Sequence, residues 1–70
     1  MYIAVEIKEK ADGTVEVSSF KKETRELAEQ AFHSIMASAA VSTHPVHSGV
    51  ILNTEGATLK KECYKHQAQA

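Results

Sequence analysis

Aliphatic and polar residues alternate at the start of the chain. Between residues 3 and 7 every second position is isoleucine or valine, and Val15 and Val17 repeat the pattern. A period of two is typical of a strand with one buried face. The sequence KADG at residues 10–13 is a turn signal, because its glycine adopts a left-handed backbone without steric cost. The pattern therefore predicts a β-hairpin.

The register of this hairpin follows from its turn. A three-residue loop places Ile7 opposite Val17, so that the aliphatic residues of both strands share one face. The same loop sets Lys8 opposite Glu16, which is a favourable pair across the strands. A two-residue loop would instead set Ile7 opposite Ser18 and turn side chains to the wrong face. We therefore expect the first register, with the aliphatic face turned towards the core.

An amphipathic helix is predicted over residues 25–41. Thr24 is the expected N-cap, since its hydroxyl can accept a hydrogen bond from a first-turn amide. Pro45 disfavours helical geometry at His44, so the helix ends before that residue. An apolar stripe with a spacing of 3.6 residues should face a sheet, and its alanines allow close approach. Its members are Leu27, Ala28, Ala31, Phe32, Ile35, Met36, Ala39 and Ala40.

A second hairpin is predicted over residues 46–65, around a turn with the sequence NTEG. The same loop geometry places His47 opposite Cys63 and Ile51 opposite Leu59. In this register, and in one shifted by a residue, the hairpin is apolar on both faces. It therefore differs from the first hairpin, whose side chains separate into an aliphatic and a charged face.

The order hairpin, helix, hairpin predicts an α+β fold of the type β-β-α-β-β. One helix packs on a four-stranded, mainly antiparallel sheet, for which we expect the strand order 2-1-3-4. Residues 1–66 should form a single small domain. Residues 67–70 have no pattern and should fray as a C-terminal tail.

A single helix can cover only one face of such a sheet. The second apolar face would then remain exposed, and large exposed apolar patches usually mark partner surfaces. We expect this interface to contain Val46, Val50, Leu52, Tyr64, Tyr2 and Phe20. The preferred partner is a second copy of the chain, packed through the sheet face or a strand edge.

The size of the chain supports this expectation. Seventy residues lie near the lower limit for a stable core. Cys63 is the only cysteine, which excludes an internal disulfide. Added stability must therefore come from close packing, a metal or a second subunit.

Charge and hydropathy argue against several classes of protein, including membrane proteins and exported proteins. The formal charge is −1, from 8 basic and 9 acidic residues that are interspersed along the chain. No apolar run approaches the roughly 18 residues of a membrane span, and no signal peptide is evident. We expect a cytoplasmic protein without membrane contact, similar in character to small bacterial or phage accessory proteins.

Four residues could ligate zinc: His44, His47, Cys63 and His66. His44 and His47 form one pair and Cys63 and His66 form the other, and the two pairs lie on strands that should be neighbours. However, residues three apart on a strand point to opposite faces, so the four side chains should not converge. We therefore expect neither metal nor cofactor, and keep a zinc-stabilised module as a second alternative.

Catalysis is not expected. Cys63 and His47 could serve as nucleophile and base, but a thiol on a regular strand lacks the electropositive setting that activates it. The sequence instead favours a non-enzymatic protein-interaction or regulatory module that acts as a homodimer. The first alternative is nucleic-acid binding through basic residues that are mixed with acidic ones. These residues are Lys21, Lys22, Arg25, Lys60, Lys61 and Lys65.

Overall fold

The computed structural model describes residues 1–66. Within this range the elements are β1 (Tyr2–Glu9), β2 (Val15–Lys22), α1 (Arg25–Ala40), β3 (Val46–Asn53) and β4 (Thr58–Lys65). The strands form one sheet of order β2-β1-β3-β4, in which every neighbouring pair is antiparallel. The predicted α+β fold and strand order are confirmed. The expected fraying at 67–70 concerns residues outside the described range.

The first hairpin has the predicted register. Ile7 pairs with Val17 and Lys8 pairs with Glu16. The amide of Gly13 donates to the carbonyl of Lys10 over 2.9 Å, and the glycine has φ of 91°. This positive φ explains why the turn requires glycine.

The second hairpin departs from the predicted register beyond its turn. At the turn the amide of Asn53 donates to the carbonyl of Ala57, as the loop geometry requires. Further along, Leu52 pairs with Thr58 whereas Ile51 pairs with Lys60, which leaves Leu59 as the extra residue of a β-bulge.

Every pair beyond the bulge is shifted by one residue. His47 therefore lies opposite Tyr64, and the predicted pairing of His47 with Cys63 is wrong. The bulge lets two successive side chains reach the helix side of the sheet. Leu59 packs against the core, and the Lys60 ammonium lies 5.6 Å from the centre of the Phe32 ring.

The helix begins at the predicted cap. The hydroxyl of Thr24 accepts a hydrogen bond from the amide of Leu27 over 3.2 Å. Most of the predicted stripe is buried, although Leu27 remains 46% exposed and Ala40 is also exposed. The buried helix residues are Ala28, Phe32, Ile35, Met36 and Ala39.

The helix does not cover the expected face of the first hairpin. It packs on the face that carries Ala4 and Ile51, both of which are buried in the core cluster. The aliphatic residues of β1 and β2 point the other way, because side chains alternate along a strand. The expectation that these residues form the core is therefore wrong. Small residues explain why the helix packs on this face of the sheet, since Ala4 and Gly49 let it approach closely.

Candidate functional site

The side of the sheet that faces away from α1, here called the open face, is the main candidate. The strand registers arrange its residues in four rows across β2, β1, β3 and β4. The rows are Val15, Glu9, Val46, Lys65; then Val17, Ile7, Ser48, Cys63; then Ser19, Val5, Val50, Lys61; and finally Lys21, Ile3, Leu52, Thr58.

Half of the positions on the open face are aliphatic, and no other element of the described chain covers them. Among the described residues none of its aliphatic side chains is fully buried, and Val15 and Val17 are 55% and 63% exposed. These side chains form a patch over β2, β1 and β3, to which β4 contributes no aliphatic residue. They are Ile3, Val5, Ile7, Val15, Val17, Val46, Val50 and Leu52.

The covered core is small by comparison. It contains Ala4, Ala28, Phe32, Ile35, Met36, Ala39 and Ile51, of which three are alanine. Full burial of a valine, leucine or isoleucine side chain contributes about 1.5–3 kcal/mol. The partly exposed aliphatic side chains of the open face could therefore add stability if a partner buried them.

Charge is confined mostly to the margins of the open face. Lys61 and Lys65 lie on the outer strand β4, and Lys21 lies at one end of the opposite outer strand β2. Glu9 is the acidic residue of this face. The centre of the face is therefore free of lysine.

A shallow groove runs between β3 and β4. Its volume is about 410 Å³. It is lined by Ser48, Gly49, Val50, Lys61, Glu62 and Cys63. The small side chains of Ser48 and Cys63, which pair with each other on the open face, leave this space. The outer strand on the other side of the sheet carries the most exposed valines of the open face, Val15 and Val17.

The covered face contains a polar pair made of a buried histidine and a partly buried glutamate. His47 is 3% exposed, and its Nε2 lies 2.7 Å from Oε2 of Glu6. Its Nδ1 is buried without a hydrogen-bond partner in the described structure. With the ring proton on Nε2, His47 donates to the carboxylate, so the pair joins β3 to β1 beneath the helix. Sequence reasoning missed this contact because the two residues are 41 positions apart.

The candidate zinc ligands do not converge. Cys63 belongs to the open face, whereas His47 belongs to the covered face. His66 donates from Nε2 to the carbonyl of Ala39 over 2.7 Å. The rings of His44 and His47 are 5.8 Å apart between centres. Within residues 1–66 no group of three or more histidine, cysteine or acidic side chains is arranged to hold a metal ion.

The predicted interface residues divide between the two faces. Val46, Val50 and Leu52 lie on the open face. The remaining three lie on the helix side, so the expectation that all six share one patch is wrong: these are Tyr2, Phe20 and Tyr64. Sequence reasoning had placed the other open-face aliphatic residues in the core. The strand alternation grouped them correctly but did not indicate which group the helix would cover.

The basic residues also divide. Lys21, Lys61 and Lys65 belong to the open face, whereas Lys22 and Lys60 belong to the helix side. They do not form one continuous basic track across the described sheet.

The helix of the described chain is too short and too polar to cross a membrane. Comparison of the chain with protein-family models, curated proteins and solved structures found no match.

Proposed function

We propose that the protein is a non-enzymatic interaction module that acts as a homodimer, with the open face as its contact surface. The observation that carries this proposal is the aliphatic patch on the side of the sheet that the helix leaves uncovered. Two sheets of this kind pack face to face in β-sandwiches, where their aliphatic side chains interdigitate.

The size of the face suits a dimer. Four strands at a spacing of about 4.8 Å, each about 26 Å long, cover about 500 Å² per copy and about 1,000 Å² in the pair. That total reaches the level from which specific interfaces are expected. The net charge of −1 adds little repulsion between two copies.

The chemistry of the face favours binding over catalysis. Cys63 is exposed on a strand, and the buried His47 points to the opposite side of the sheet. The buried imidazole is therefore not placed to act as a base for this thiol. The proposal therefore assigns the protein no enzymatic step.

Sedimentation equilibrium over a range of concentrations tests the proposal. The wild type should show a reversible monomer–dimer equilibrium. Val17→Lys should raise the dissociation constant at least about tenfold, because it replaces an aliphatic contact on both copies by a charge. Val41→Lys is the matched control: Val41 is 82% exposed at the end of the helix, away from the open face. This control should dimerise like the wild type.

A wild type that stays monomeric at every concentration would contradict the proposal. Equal weakening by Val17→Lys and Val41→Lys would place the contact elsewhere. Retention of the wild type on a mixed nucleic-acid column, lost as salt is raised, would favour the nucleic-acid alternative.

A further inference from the structure

The geometry points to a specific arrangement of the homodimer proposed above, on which it rests. We infer that β2 of each copy lies over β4 of the other. The two-fold axis lies between the two open faces and runs along the strands. Each copy then places its exposed valines on the grooved side of the partner's sheet.

Two symmetric arrangements bring identical sheet faces together with aligned strands. An axis along the strands sets β2 over the partner's β4 and β1 over the partner's β3, and it keeps each row opposite the same row. An axis across the strands sets each strand over its own copy and reverses the order of the rows. The shape and charge of the open face distinguish these two possibilities.

Shape favours the axis along the strands. The valines of β2, Val15 and Val17, are the most exposed aliphatic residues of the face. The groove lies at the other side of the same face, between β3 and β4. An axis along the strands places the ridge formed by Val15 and Val17 of each copy over the grooved half of the partner's sheet. An axis across the strands would set ridge on ridge and leave the two grooves facing each other.

Charge favours the same axis. Across the strands, β4 would meet β4, and Lys61 and Lys65 of both copies would gather along one edge. Like charges placed opposite each other are destabilising. Along the strands, the two β4 strands lie at opposite edges. Lys61 then lies over the partner's Ser19, and Lys65 lies over the partner's Val15, one strand away from the partner's Glu9 in the same row.

The single native cysteine permits a direct test. Val17 and Cys63 occupy the same row on the two outer strands. Within one copy they are three strand spacings apart, about 14 Å, whereas facing sheets are separated by about 10 Å. A bifunctional thiol reagent with a reach of about 10 Å should therefore join Val17→Cys to the partner's Cys63. A denaturing gel reports the covalent dimer.

Two matched proteins complete the experiment. The double variant Val17→Cys/Cys63→Ser should lose the covalent dimer, and the wild type should not form it. Cross-linking of the double variant would show β2 over β2, and cross-linking of the wild type would show β4 over β4. Either result overturns the inferred arrangement.

Charge exchange gives a second, independent readout. Glu9→Lys should weaken the dimer about fivefold by sedimentation, and Glu9→Lys/Lys65→Glu should restore it. With the axis across the strands, Glu9 would lie over the partner's Ile3, and Lys65→Glu would change the dissociation constant by the same factor with or without Glu9→Lys. Failure to restore would also overturn the arrangement. Monomeric wild type would instead refute the homodimer itself, so the two failures are distinguishable.

Discussion

Ala4 and Gly49 lie directly beneath the helix, on neighbouring strands. A Cβ atom added to Gly49 would lie 2.7 Å from Sδ of Met36 and 3.2 Å from Cγ2 of Ile35. Such distances are too short for a relaxed contact. The missing side chain at this one position therefore sets how closely the helix can approach the sheet.

Gly49→Ala should destabilise the fold by about 1 kcal/mol. Overpacking costs about 1–3 kcal/mol, and removal of glycine from a strand returns about 0.5–1 kcal/mol. Chemical denaturation measures the change. Ser18→Ala, on the exposed strand β2, should be nearly neutral.

A double variant tests the cause of this loss. If the new methyl group displaces Met36, then Gly49→Ala combined with Met36→Ala should cost less than the sum of the two single changes. Strict additivity would show that Met36 is not the residue under strain.

Residue patterns in the sequence could not identify the covered face. Ala4 stands between Ile3 and Val5, in phase with Glu6, so the alternation assigns it to a charged surface. An alanine is neither strongly apolar nor charged, so it identifies neither the aliphatic nor the charged set of alternating positions. Its role becomes evident only when a helix rich in alanine lies against it, which is a tertiary property.

At the scale of elements, the first hairpin is stabilised by contacts within its own turn. The amide of Thr14 donates to Oδ1 of Asp12 over 2.9 Å, and this hydrogen bond lowers the pKa of Asp12. The ammonium of Lys10 lies 3.1 Å from Glu16 and lowers the pKa of Glu16 by its hydrogen bond and its charge.

Both shifts give the hairpin a pH dependence of known sign. A carboxyl group whose pKa is lowered by folding stabilises the fold above its unfolded value and loses that contribution as pH falls through the folded value. NMR titration should give pKa values of Asp12 and Glu16 below the ordinary range. The Thr14 amide shift should follow the titration of Asp12, and Asp12→Asn should abolish that response. An ordinary pKa at Asp12 would contradict the prediction.

The two hairpins differ in how far sequence predicts them. In the first, turn chemistry and strand alternation lead to the same register, and the structure confirms it. In the second, the turn is correct but the bulge at Leu59 shifts the strand beyond it. The bulge brings Leu59 to the core, a contact with another element that the local pattern does not contain. The two candidate zinc ligands His47 and Cys63 lie opposite each other only in the unshifted register.

At the scale of the whole molecule, strand order was predictable because short connections and antiparallel pairing leave few topologies. The candidate site was predictable only in part. An uncovered apolar face follows from one helix on four strands. Which residues compose it depends on the side that the helix takes.

The stability of the whole molecule should depend on protein concentration. If dimerisation completes the burial of aliphatic surface, mass action couples folding to association. The midpoint of thermal unfolding should rise by about 3–5 °C for each tenfold increase in concentration. In calorimetry, the unfolding midpoint of Val17→Lys should no longer depend on protein concentration, whereas that of Val41→Lys should still depend on it. A midpoint that is constant for the wild type would count against a dimer.

The bulge at Leu59 has a further consequence for the edges of the sheet. Regular edge strands can recruit other strands and extend a sheet without limit. In β4 the bulge interrupts the row of free backbone groups beside the turn, and Lys60 and Lys61 follow it along the strand. Strand β2 has an unbroken register and no such interruption. We therefore expect a further strand to add at β2 more readily than at β4, and pairing of two copies through their β2 edges would end after a single step.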